Sequence, residues 1–173
     1  MSDYQRYNIK GFLEEGKKVE VEFSKLLPNP IFATPDEDKK EHWDVKDGGI
    51  KYDVKGMKKI NRIHSEPSQH FHWVEIKNVI GDHGWLYGQA DYIVFEISYH
   101  WIVVKRDRLV NFIDHRVDFS MEINNKAYQI KKYELYQRVN RSDLMVLVDI
   151  IDLISISERM IIKKHLDGNT LGY

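Results

Sequence analysis

Cysteine is absent from this chain of 173 residues, so disulfide bonds and zinc sites built from thiolates are excluded. The absence agrees with a cytoplasmic location. Neither sign of charge is in excess, because 26 basic and 27 acidic residues leave a net charge of -1 with histidine neutral. A protein with this balance is not a polycation. If it binds nucleic acid, its positive charge must therefore be gathered on one face.

Long hydrophobic runs are also missing. No run of about eighteen uncharged apolar residues occurs, so we expect no transmembrane helix and no membrane partner. The first residues, Met1 to Arg6, contain no apolar core, so we expect no signal peptide. A content of 42% hydrophobic and 31% charged residues is typical of a globular protein. The length suits one domain spanning residues 1–173.

Apolar periodicity and prolines predict the first elements. Residues 9–27 are predicted to form a helix, because their apolar side chains fall near one stripe and Pro28 and Pro30 end it. Residues 28–41 are predicted to form a loop whose charged run, Asp36 to Glu41, is a solvated surface segment.

The middle of the chain is predicted to be rich in strands. The segments concerned are residues 71–79, 85–86 and 90–97. Residues 155–165 are predicted to form a terminal helix. The order of a helix, a hairpin and then further strands and helices predicts a mixed α/β or α+β fold.

The most informative stretch is a predicted hairpin around the turn Asp47-Gly48-Gly49. An Asp-Gly pair favours a hairpin because both residues tolerate positive φ. Side chains alternate along a strand, so Asp53 and Lys55 share one face while Val54 points to the other. Asp44 lies before the turn, so two carboxylates and one lysine can converge. That set suits a divalent metal with a positioned water, and hence phosphodiester hydrolysis.

This layout resembles the PD-(D/E)xK, or restriction endonuclease-like, nuclease superfamily. There, a helical Glu precedes an Asp at a strand start, and a (D/E)xK tripeptide follows on the paired strand. The segment 16–27 is similar to that helix, with Glu20 as the best match to the helical Glu and Glu22 as its substitute. The resemblance covers roughly residues 9–95. It departs from the pattern at Trp43, which stands where a proline often precedes the Asp.

The resemblance implies a metal-dependent DNA endonuclease with a mixed β-sheet flanked by helices. Asp44 and Asp53 would bind Mg²⁺ or Mn²⁺ together with the backbone carbonyl of Val54. Lys55 would orient or deprotonate the attacking water, and Glu20 would support the metal or a second ion through water. Because such nucleases act on two strands, a homodimer is also expected. The alternative within this fold is a nucleic-acid-binding protein without catalysis.

Other residues compete for these roles. Glu75-x-Lys77 is a second acid-x-lysine on a predicted strand and is the pair that would displace Asp53 and Lys55. The structural alternative is that Glu75 and Lys77 form cross-strand ion pairs. Gln89 is a further polar candidate, since nucleases of this superfamily often carry a downstream Gln near the site.

Two histidines offer a different kind of site. His70, His72 and Glu75 resemble a cupin metal motif, which would hold Zn²⁺, Fe²⁺ or Mn²⁺ in a small β-barrel metalloenzyme. Two residues separate His72 from Glu75, where the motif has three or four. Strand alternation therefore points Glu75 away from the histidines unless a bulge intervenes.

Two basic runs are candidates for nucleic-acid contacts. The first follows the hairpin and consists of Lys58, Lys59 and Arg62, with Lys55 and His64 at its ends. The second is interleaved with tyrosines and contains Lys131, Lys132, Arg138 and Arg141. The position of the first run beside the hairpin makes it the predicted DNA-binding segment.

Overall fold

The structure, a computed structural model, describes residue 14, residues 16–60 and residues 64–163. Residues 16–24 are helical and form α1. The other helices are α2 (Pro35–Glu41), α3 (Arg106–Arg116) and α4 (Ile150–Ile156). The strands are β1 (Ile31–Phe32), β2 (Val45–Asp47), β3 (Ile50–Lys55), β4 (Phe71–Lys77), β5 (Tyr92–Glu96), β6 (His100–Lys105), β7 (Leu135–Tyr136), β8 (Leu144–Asp149) and β9 (Arg159–Ile162).

The described strands form two sheets. One has six strands in the order β1-β2-β3-β5-β6-β9 and is mixed, because β3 and β5 run parallel while the other pairs are antiparallel. The other has three antiparallel strands in the order β4-β8-β7. The predicted mixed α/β class is confirmed, and β2 and β3 form the predicted hairpin.

Two apolar cores lie on opposite faces of the six-stranded sheet. Phe23 of α1 packs on Tyr52 and Val54 of β3 in the smaller core. The larger core joins the other face to β4, β8, α3 and α4. Because side chains alternate along β3, Asp53 and Lys55 are directed to the face opposite α1. Strand alternation thus separates Asp53 and Lys55 from the core under α1.

The predicted loop over residues 28–41 is wrong, because it contains β1 and α2. The hydroxyl of Thr34 accepts a hydrogen bond from the Glu37 amide at 3.3 Å, and the Glu37 carboxylate accepts one from the Thr34 amide at 2.8 Å. This reciprocal capping box, with Pro35 in the first turn, stabilises the start of a helix. The charged run that follows is therefore ordered as α2.

The predicted terminal helix over residues 155–165 is also wrong. The helix begins earlier, at Ile150, where the carboxylate of Asp149 caps it by accepting from the Ile151 amide at 2.9 Å. The chain then turns into β9, which pairs with β6. Sheet edge pairing thus outweighs the helical tendency of this segment. Residues 85–86, predicted as strand, lie in a 3₁₀ turn, Trp85–Tyr87.

The described part of the chain has no helix with both the length and the apolar character needed to cross a bilayer.

Candidate active site

The candidate site lies where β3 extends past its partner β2. The two strands pair only from Val45 to Asp47 against Ile50 to Tyr52. Beyond that point the amide of Val54 donates to Oδ2 of Asp44 at 2.6 Å. The side chain of Asp44 thus supplies the acceptor that a longer β2 would have provided through its backbone. This bond holds the Asp44 carboxylate against the end of β3.

Asp53 and Lys55 form an ion pair within this strand end. Nζ of Lys55 lies 2.5 Å from Oδ1 of Asp53 and 4.7 Å from the centre of the Trp85 ring, over its face. Asp53 is only 1% exposed, and its other oxygen, Oδ2, is buried with no hydrogen-bond partner. A buried carboxylate oxygen without a donor is costly, so this atom marks a point where the fold leaves a polar group unsatisfied.

Burial raises the pKa of Asp53 well above its usual range. The Lys55 ammonium opposes this shift, while the neighbouring Asp44 adds to it. For Lys55 the balance is reversed: burial acts to lower its pKa, but Asp53 and Asp44 outweigh it, and the pKa is raised. Lys55 is therefore an ammonium at neutral pH. The raised pKa of Asp53 shows that its charged form is disfavoured beside Asp44.

Glu20 approaches Asp44 from α1. Burial raises the pKa of Glu20, and the charge of Asp44 raises it further, while an ion pair with Lys17 at 2.7 Å opposes the shift. Glu22 is directed elsewhere, since its carboxylate lies 3.7 Å from Nζ of Lys163. Of the two predicted helical acids, Glu20 therefore faces Asp44 and Glu22 does not.

The helix that sequence reasoning missed adds two more titratable groups. Burial raises the pKa of Asp38 on α2, with Asp44 adding to the shift and Lys55 opposing it. Burial also lowers the pKa of His42, which ends α2 at a left-handed φ of 55°, and Lys55 lowers it further. The capping signal at Thr34 would have identified this helix, and hence these neighbours of the site.

Glu75 lies on the other side of Lys55. Burial raises the pKa of Glu75, and the charges of Lys55 and Arg138 oppose the shift. The backbone amide of Trp85 lies close to this carboxylate and also opposes the rise of its pKa. Lys77, its predicted partner, is exposed at the end of β4. Glu75 is thus a neighbour of Lys55, while Lys77 lies apart from it.

The two histidines of the rival motif do not converge. His72 is buried, and its Nε2 donates to the backbone carbonyl of Glu96 at 2.6 Å. Burial lowers the pKa of His72 to about 4. His70 is exposed before β4, and the alternating burial along that strand directs Glu75 to the face opposite His72. His72 is a hydrogen-bonded core residue here.

Gln89 lies beside the start of β3. It lines a surface cavity of about 630 Å³ with Gly48 and Ile50, at the start of β3. Asp53 and Lys55 lie at the end of the same strand. The backbone amide of Gln89 donates a hydrogen bond to the backbone carbonyl of Glu41 at 2.6 Å.

Lys58 and Lys59 of the first basic run are exposed in the segment that follows β3. The amide of Met57 donates to Oε2 of the buried Glu96 at 3.1 Å, which fixes where this segment leaves the sheet. Arg62 lies outside the described residues.

The described residues contain no group of three or more histidine and acidic side chains arranged to hold a metal ion. The donors that do meet are Asp44 and Asp53, with one unsatisfied oxygen. Mg²⁺ is commonly held by one or two carboxylates, with waters and substrate phosphates completing its shell. The pair therefore fits a site that a phosphate ligand completes.

Comparisons of the chain with protein-family models, with curated proteins and with solved structures found no match. The functional argument therefore depends on the side chains of the site.

Proposed function

We propose that the protein is a metal-dependent DNA endonuclease with a PD-(D/E)xK-type site formed by Glu20, Asp44, Asp53 and Lys55. One observation carries the proposal: a buried carboxylate, Asp53, keeps an oxygen without a donor beside a second carboxylate and an ammonium. A divalent cation would stabilise the charged forms of both carboxylates.

Asp44 and Asp53 are the residues that would hold Mg²⁺ or Mn²⁺, with the carbonyl of Val54 as a further oxygen. A bound ion supplies a Lewis acid and a water of lowered pKa. Glu20 faces Asp44 from α1 and would hold waters at the edge of the site.

The raised pKa of Lys55 favours one of its two candidate roles. An ammonium has no lone pair, so it cannot accept a proton from water. Lys55 acts instead by charge and by donating hydrogen bonds, to the attacking water and to the phosphate oxygens that gain charge in the transition state. The ion pair with Asp53 and the contact with the Trp85 ring keep the Lys55 ammonium in position for this role.

The exposed Lys58 and Lys59 follow directly from β3 and would contact backbone phosphates next to the scissile one. A duplex has two strands to cut, and one site cuts one strand. A homodimer is therefore part of the proposal.

The test is a cleavage assay with Mg²⁺ or Mn²⁺ on duplex, branched and single-stranded DNA. Asp53→Asn and Lys55→Ala should each lower the rate by about 10²-fold or more, the usual effect of losing a charge that stabilises the transition state. Asp36→Asn and Lys40→Ala are matched controls, because they remove an exposed acid and lysine that pair at 3.2 Å on α2. Cleavage that survives both site substitutions unchanged contradicts the assignment.

The direct ion pair between Asp53 and Lys55 favours a second candidate, a nucleic-acid-binding protein of the same fold without catalysis. In that case the lysine neutralises Asp53 permanently. Such a protein binds DNA in EDTA and shows no cleavage when Mg²⁺ or Mn²⁺ is added.

A further inference from the structure

Arg138 and Asp143 form a second charged pair near the candidate site. Nε of Arg138 donates to Oδ2 of Asp143, whose side chain is fully buried, while the Arg138 side chain is 44% exposed. Burying a carboxylate is costly unless it is paired. This ion pair holds the exposed Arg138 side chain against the buried Asp143 carboxylate.

The chain around Arg138 is itself held in place. A turn from Arg138 to Arg141 is closed by a backbone hydrogen bond of 3.1 Å between these two residues. Asn140 takes a left-handed φ of 60° within the turn, a conformation that Asn tolerates. The amide of Ser142 then donates to the Val79 carbonyl at 3.3 Å, which joins this loop to the turn after β4. Arg138 is thus presented from a fixed loop.

Glu75 connects this pair to the candidate site. Both Arg138 and Lys55 lie close enough to Glu75 to oppose the rise of its pKa. The Trp85 amide lies close to the Glu75 carboxylate, and the Trp85 ring lies under the Lys55 ammonium. Gly84 keeps this contact close, because a Cβ there would lie 2.5 Å from the Glu75 carbonyl oxygen. Arg138 and Lys55 are therefore both neighbours of Glu75.

The lysines of the second basic run differ from Arg138 in how they are paired. Lys132 lies 3.2 Å from Asp149 and Lys131 lies 3.9 Å from Glu134, each through its only charged nitrogen. Arg138 pairs through Nε, and no described residue accepts a hydrogen bond from its two Nη groups. A guanidinium held in this way retains donors that match the oxygens of a phosphate.

We infer that Arg138 is a phosphate-binding residue, which Asp143 orients and which contacts a DNA backbone phosphate flanking the one at Lys55. The inference rests on the proposed function, because it takes the ligand to be a DNA strand crossing the site. Asp143 is a positioning residue, since it acts through Arg138.

The test is the affinity for a short fluorescent duplex in EDTA, measured by anisotropy over a series of KCl concentrations. Arg138→Ala is introduced into the variant Asp143→Asn. In that variant a neutral amide replaces the buried carboxylate, so the loss of the arginine leaves no unpaired buried charge. The double variant should bind about tenfold or more weakly than Asp143→Asn. Its slope of log K against log salt should fall by about 0.9, the value for one phosphate contact.

Two further variants separate a phosphate contact from a structural role. Arg138→Lys keeps a cation beside Asp143, so it should retain the fold and the salt slope but bind more weakly, because an ammonium lacks the guanidinium fork. Arg141→Ala removes an exposed arginine of the same turn and should change the affinity and the slope less than loss of Arg138. Melting temperatures of Asp143→Asn and the double variant are compared to show that both are folded.

The outcomes distinguish this inference from the proposed function. If the wild type binds and cleaves DNA while the double variant matches Asp143→Asn in affinity and slope, only the role of Arg138 is overturned. An equal loss in Arg141→Ala overturns it too. A reduced slope in a protein that does not cleave supports Arg138 and contradicts the proposed catalysis. If the wild type neither binds nor cleaves, both are overturned.

Discussion

Asp53→Asn should make the protein more stable in the absence of metal. The wild-type carboxylate is buried beside Asp44 with one oxygen lacking a donor. Its pKa is raised despite the Lys55 ammonium, so burial outweighs the ion pair and the charged form is disfavoured. An asparagine removes this charge, and its amide group can donate to the Asp44 carboxylate.

The expected size follows from the unsatisfied oxygen. Leaving a buried acceptor without a donor costs about 1–3 kcal/mol, and the substitution recovers an amount of this order. For a chain of this length, 1 kcal/mol corresponds to about 2–4 °C. We therefore expect the melting temperature in EDTA to rise by between about 2 and 12 °C.

The assay is differential scanning calorimetry in EDTA and in MgCl₂. Mg²⁺ at ten times its Kd should stabilise the wild type by about 1.4 kcal/mol through binding to the folded state alone, and Asp53→Asn should gain less. Asp36→Asn, whose side chain is 82% exposed, is the control and should leave both values unchanged. A variant that melts below the wild type in EDTA, or that gains as much from Mg²⁺, refutes the reasoning.

Other predictions concern the fold around the site. Burial lowers the pKa of His72 to about 4 from an unfolded value near 6.5, so its contribution is present above pH 6.5 and is lost as the pH falls. Denaturant unfolding of the wild type should lose roughly 3 kcal/mol from this group between pH 6.5 and 4. His72→Gln should remove that part of the pH dependence, and the exposed His70→Gln should not. Gly84→Ala forces a Cβ to within 2.5 Å of a backbone oxygen and should destabilise the protein by about 1–3 kcal/mol. A Cβ added at Gly16, a helical position, would have no atom within 4 Å other than those of its own helix. Gly16→Ala should therefore stabilise the protein by about 0.5–1 kcal/mol. Equal effects at the two glycines would contradict the packing described at Gly84.

The hairpin could be predicted because its signals are local. A glycine turn and strand alternation determine that Asp53 and Lys55 share a face, whatever packs against them. Glu20 and Glu22 lie two positions apart on a helix, so the pattern alone indicates that they point in different directions. These inferences needed no knowledge of how the sheets pack.

The surroundings of the site depended on contacts between distant segments. Asp38 and His42 were missed because the charged run of α2 was interpreted as a solvated loop, although the Thr34 and Glu37 capping signal was present. The place of Glu75 beside Lys55 follows from packing between the two sheets, which a strand pattern does not specify. The strand β9 depends on an edge of β6, and its short apolar segment fits a helix equally well.

The central claim is that Asp44 and Asp53 form one divalent-cation site beside Lys55. Mn²⁺ binding, followed by electron paramagnetic resonance, tests it most directly in the wild type and in the Asp44→Asn/Asp53→Asn double variant. The account predicts a bound ion in the wild type that the double variant loses and that Asp36→Asn keeps. A wild type that binds no Mn²⁺, or a double variant that binds it as tightly, contradicts the claim.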